Sequence, residues 1–214
     1  MTALATAPYA VWMAFMLALP AGAGMYAART AAVAAVFLVL LFRARGRLPR
    51  PGVPSRATLS AGVFAGLAVF ALWVLPEKSE FYRRFFIIGG AASGTPSPFD
   101  PAVCGWPLAL ARLFGSSFVI APAEELFFRH FLYRRLQSPD WQGVPRKRFD
   151  LSSFLWTSAL FALEHDRVAA GFAAGAVYLF VYMRRGLAAA VLAHCVTNFV
   201  LALYVLRFGL WGFW

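Results

Sequence analysis

Residues 106–133 read WPLALARLFGSSFVIAPAEELFFRHFLY, and the reading of this stretch decides the fold. A helix crosses a bilayer with roughly 20 apolar residues, so the stretch is long enough to span. It nevertheless carries Glu124, Glu125 and Arg129 near its middle. An ionisable group inside a span costs at least about 2.5–3.5 kcal/mol on insertion scales, so such groups are kept for pairing or for function. Glu125 and Arg129 are four residues apart, share a helical face and can pair. That leaves Glu124 on a neighbouring face, unexplained by the pair. Pro122 withholds a backbone N–H beside the acids and can kink the helix there.

Further apolar runs lie to either side. Candidate spans are Ala3–Pro20, Gly24–Phe42, Leu59–Leu75, Trp106–Tyr133, Leu151–Leu163, Val168–Met183 and Leu187–Leu206. The expected fold is all-α, a polytopic transmembrane helical bundle of about seven spans. We read residues 1–214 as one membrane-embedded domain whose motif-bearing core is residues 106–206. The composition agrees: 61% of residues are hydrophobic and 14% are charged, against about 25% charged in a typical soluble domain. Residues 1–20 are apolar without a basic flank and read as a first span rather than a cleaved leader.

The net charge of +11 sits in patches between the runs. One gap holds Arg43, Arg45, Arg47, Arg50 and Arg56, stiffened by Pro49, Pro51 and Pro54. Another holds Arg134, Arg135, Arg146, Lys147 and Arg148, and a third holds Arg184 and Arg185. Cationic loops flanking spans belong on the cytoplasmic side and suit an anionic leaflet. This pattern argues for a lipid partner and against nucleic acid. It sets the N-terminus in the cytoplasm and residues 76–104 outside, where the apolar piece Phe85–Ile88 is too short to span. A bacterial cytoplasmic membrane is the expected location. Cys104 lies in a loop and Cys195 in a run, so a disulfide between them is not expected.

Two more polar groups interrupt the apolar runs. His165 lies between Glu164 and Asp166 at the end of the fifth run, and these neighbouring carboxylates should raise its pKa. His194 and Asn198 lie in the seventh run, four residues apart on one face. At ~1.5 Å per residue, Glu124 is ~15 Å from Arg134, His194 ~14 Å from Arg185 and His165 ~18 Å from Ser153. The three groups therefore meet near one depth, as groups lining one cavity would. Structural pairs on separate helices have no reason to do so. No Ser–His–Asp set is apparent. Glu124, His165 and His194 would also make a two-His, one-carboxylate zinc set. The usual helical zinc-protease signature is absent.

At these residues the chain resembles the CAAX protease and bacteriocin-processing family of intramembrane glutamate proteases. The family's two adjacent glutamates with an arginine four residues after the second match Glu124, Glu125 and Arg129. Its Phe-x-x-x-His matches Phe161 and His165, and its His-x-x-x-Asn matches His194 and Asn198. Residues 140–154, 171–178 and 211–214 resemble a bacterial subgroup, the CAAX prenyl protease-related proteins, which implies an exosortase-type sorting partner. The resemblance implies an intramembrane endopeptidase acting on a membrane-associated or C-terminal peptide. Glu124 and His165 would activate water, His194 and Asn198 would steady the oxyanion, and Glu125 and Arg129 would support the site. It implies no cofactor, which leaves zinc at Glu124, His165 and His194 as the alternative. Readings from other classes are a non-enzymatic membrane scaffold and a proton-coupled transporter.

Overall fold

A computed structural model describes residues 1–46, 53–87 and 97–214. Arg47, Pro49, Arg50, Pro51 and Ile88, named above, lie outside the described residues. The helices follow the apolar runs: α1 (Thr2–Ala18), α2 (Ala23–Ala44), α3 (Arg56–Val74), α6 (Trp106–Gln137), α7 (Leu151–Ala162), α8 (Val168–Arg185) and α9 (Leu187–Phe208). Between α3 and α6 lie a 3-10 turn (Leu75–Lys78) and the short helices α4 (Glu80–Phe86) and α5 (Pro101–Cys104). Short polar side chains set several starts. Ser55 accepts from the Thr58 N–H, Asp100 from Ala102 and Asp150 from Ser153, each satisfying an orphan donor of the first turn. No strand occurs among the described residues.

Four of these helices are long and apolar enough to cross a membrane: Ala23–Ala44, Arg56–Lys78, Trp106–Gln137 and Leu187–Phe208. Seven spans were expected, and four helices meet this length and composition. Thr2–Ala18 and Leu151–Ala162 are apolar but shorter. Large apolar side chains face outward along the helices, among them Leu38, Phe64, Phe118, Trp156, Phe180 and Leu203. A water-facing surface rarely tolerates so much apolar area, whereas lipid accepts it at no cost. The chain is a multi-pass membrane protein. Phe85 and Phe86 belong to the short helix α4, beside Arg83 and Arg84, rather than to a separate apolar piece.

Helices pack closely where side chains are small, as membrane helices do without a hydrophobic drive between them. A Cβ on Gly66 would stand 2.5 Å from the Ala193 carbonyl oxygen and one on Gly62 2.9 Å from Leu192, so α3 lies directly against α9. Gly171 and Gly175 bring α8 onto the backbone of α7 in the same way. Two clusters form the interior. One joins Tyr9, Tyr26, Trp73, Phe128, Phe161 and Tyr178. The other, around Tyr133, Leu179, Tyr182 and Met183, fills the end where α6, α8 and α9 meet the basic loops. There Tyr133 donates to the Arg148 carbonyl at 2.8 Å, and Arg146 donates to the Tyr182 and Met183 carbonyls. Cys104 and Cys195 are both free.

Candidate active site

The centre of α6 departs from regular helix on both sides of the acids. Residues Ser116–Ile120 and Leu126–Leu132 are π-helical, a widening that recurs at functional sites. The Ala121 N–H reaches back five residues to the Ser116 carbonyl, just before Pro122. That same carbonyl accepts from Asn198 Nδ2 at 3.1 Å. Asn198 is thereby held by α6, with a second amide N–H still to offer.

Glu125 is fully buried and its Oε1 is a hub. Arg129 Nη1 lies 3.2 Å away, and His194 Nδ1 lies 2.9 Å away on α9. The expected Glu125–Arg129 pair is therefore present, and the sequence reading missed its third member. The guanidinium of Arg129 also lies 4.2 Å from the Phe161 ring centre. The other nitrogen of His194, Nε2, stands 3.6 Å from Glu124 Oε2. Tyr178 stacks on the His194 ring at 4.7 Å and 21°. Carboxylates thus sit at both ends of this imidazole, and its aromatic neighbours fix its plane.

His165 lies in the turn between α7 and α8, its ring against Trp73 at 5.2 Å and Phe161 at 4.8 Å. Its Nδ1 is 2.9 Å from the Phe161 carbonyl. A carbonyl can only accept, so Nδ1 carries the proton and Nε2 presents a lone pair. Enclosure by these rings pushes the pKa down to about 4, with His194 and Arg129 adding to the fall. This corrects the expected rise. Removal of the ring from water outweighs Glu164 and Asp166, and burial raises the pKa of Glu164 itself to about 8. An acid so shifted is neutral over much of the range in which it was expected to act on the histidine.

A cavity of about 520 Å³ joins these groups, with Glu124, His165, His194, Asn198 and Ser116 in its wall. An adjoining pocket of about 140 Å³ is lined by Trp73, Phe161, His165, Tyr178, His194 and Asn198. All four sequence-nominated residues thus reach one space. Glu125 and Arg129 lie behind it, in the packed wall. No three His, Cys, Asp or Glu side chains among the described residues are grouped closely enough to hold a metal ion.

Other wall residues were not nominated. Arg29 and Arg112 both line the cavity and flank the Tyr26 ring, at 5.0 and 4.7 Å from its centre. Among the described residues neither has a carboxylate in ion-pair range, and the Nε of each is buried without a hydrogen-bond partner. Phe213 and Trp214 fold back from the end of α9 to line the cavity, Phe213 beneath Arg167 at 4.4 Å. Charged residues in apolar runs were the available signal for the arginines. The tail, residues 211–214, was noted only for its resemblance to a subgroup and not as part of the site.

Residues 106–200 match the family model described as Rce1-like, type II CAAX prenyl endopeptidase. This portion of the chain is similar to that family. The Rce1-like segment contains Glu124, Glu125, Arg129, His165, His194 and Asn198, whereas Arg29, Trp73 and the tail lie outside it. Searches of curated proteins and of solved structures found no match.

Proposed function

We propose that the chain is a glutamate-type intramembrane endopeptidase that cleaves a membrane-associated or C-terminal peptide. The observation that carries this reading is the approach of Glu124 Oε2 to His194 Nε2 at 3.6 Å, in the wall of a cavity shared with His165 and Asn198. Amide hydrolysis needs a base for water, a donor for the oxyanion and a proton for the leaving amine. Glu124 accepts the proton of the attacking water, and the lone pair on His165 Nε2 helps orient that water. The carboxylate–imidazole contact between Glu124 and His194 requires a proton on one partner, since two lone pairs repel. With the proton on Nε2, His194 donates into the cavity while Glu125 balances its charge through Nδ1. The free N–H of Asn198 supplies a second donor. Glu124 then returns the water proton to the leaving amine. No step in this sequence uses a metal.

The test compares new peptide termini in membranes of cells expressing the wild-type chain or Glu124→Gln. General-base loss lowers turnover by about 10²–10⁴-fold, so termini produced by the wild-type chain should vanish with the variant. Identical termini in the two membranes would sink the proposal.

A further inference from the structure

The two ends of the bundle differ in charge. The joints α2–α3, α6–α7 and α8–α9 lie at one end. Their described residues 43–46, 53–56, 134–150 and 184–186 hold ten Lys or Arg and two Asp. At the other end lie the described residues 19–22, 75–87, 97–105, 163–167 and 207–214, with five Lys or Arg and five Asp or Glu. Lys and Arg in short loops next to spans are retained in the cytoplasm. A bias of ten against five over short loops orients the molecule with the first end inside.

The candidate active site opens at the other end. Leu17 at the end of α1, Asp166 and Arg167 in the α7–α8 turn, and Gly212 after α9 all line the cavity that leads to Glu124. None of the basic-loop residues lines it. On their side the way is closed by Tyr133, Leu179 and Tyr182, each at most 1% exposed. The cavity near the basic loops, around Lys147, Phe154 and Arg184, shares no residue with the site.

We propose that this site is entered from the extracytoplasmic face, and that its substrate is a polypeptide segment exported or threaded to that face. The substrate half rests on the protease reading; the direction of the mouth does not. A substrate confined to the cytoplasm would have to cross the Tyr133–Tyr182 layer to reach Glu124.

The experiment places single cysteines in a Cys104→Ala, Cys195→Ala background. Asp166→Cys and Gly212→Cys mark the mouth, and Gln142→Cys and Lys147→Cys mark the basic loops; all four positions are exposed. Intact spheroplasts are treated with a membrane-impermeant maleimide. The mouth cysteines should label in intact spheroplasts, and the loop cysteines only after lysis. The reverse pattern overturns the proposal, as do mouth cysteines that stay unlabelled after lysis. Should a cysteine variant fail to accumulate, alkaline phosphatase fused after Trp214 of the wild-type chain decides: it is active on the outer face and inactive inside. Labelling is read without any cleavage. Failure of the Glu124→Gln test would therefore remove the protease and leave the orientation standing. Cleavage confined to cytoplasmic reporter peptides would remove the substrate assignment.

Discussion

Glu125 is the residue on which the candidate site is hung. Its carboxylate is fully buried and touches both Arg129 and His194. Removing one member of a buried charged set leaves the others uncompensated, at a cost of about 3–5 kcal/mol. Glu125→Gln should therefore lower the thermal midpoint of the detergent-solubilised protein, whereas Glu124→Gln should leave it nearly unchanged. An equal effect of the two would contradict this division of roles. His165 makes a separate prediction. With its pKa near 4, the ring should hold the neutral tautomer with the proton on Nδ1 from pH 8 to below pH 5, as read by nitrogen-15 NMR of labelled histidine. A midpoint near 6.5 would refute it. The sign for stability follows. Between about 6.5 and 4 the unfolded ring binds the proton and the folded ring does not. The contribution of His165 is thus present above 6.5 and fades as pH falls toward 4.

The helices are placed by small residues and by one irregular stretch of α6. Thr197 on α9 donates to the Gly66 carbonyl at 2.9 Å, and no Cβ intervenes between the two backbones. Gly66→Ala would set a methyl group against the Ala193 carbonyl and Val196. Overpacking of this kind costs about 1–3 kcal/mol, so the variant should melt earlier than wild type. Gly24→Ala, where a Cβ meets nothing within 4 Å, should not, and equal melting of the two would refute the packing argument. Because His194 and Asn198 ride on α9, a displaced α9 would also move them from Glu124. In α6 the π-turn before Pro122 aims the Ser116 carbonyl at Asn198. Helical pairing at four-residue spacing thus continues into a contact between helices.

The assembled molecule encloses the site with parts far apart in sequence: α1, the end of α3, the middle of α9, the α7–α8 turn and the Phe213–Trp214 tail. The tail covers the neutral end of the cavity. Truncation after Phe208 should leave the helices in place, with circular dichroism unchanged, and uncover His165. Its modification by diethyl pyrocarbonate, mapped to His165 by mass spectrometry, should then run several-fold faster than in the full chain. An unchanged rate would show that the tail does not limit access.

Some of this architecture was legible residue by residue. The starts of α6, α7, α8 and α9 at Trp106, Leu151, Val168 and Leu187 fall where the apolar runs begin. Lipid exposure imposes that pattern on the chain directly. The Glu125–Arg129 pair was legible because it depends only on helical spacing. Span number is less legible, because a run such as Leu151–Ala162 is apolar yet only 12 residues long. Hydropathy and periodicity tell which face of a helix is special, not which helix that face will meet. The contact of Glu125 with His194, 69 residues away, the seat of Asn198 on Ser116, the place of Arg29 and Arg112 in the cavity wall, and the tail over the cavity all arise from helix packing. Only the folded chain could decide them, because each joins groups from separate elements whose approach is set by packing across the whole bundle.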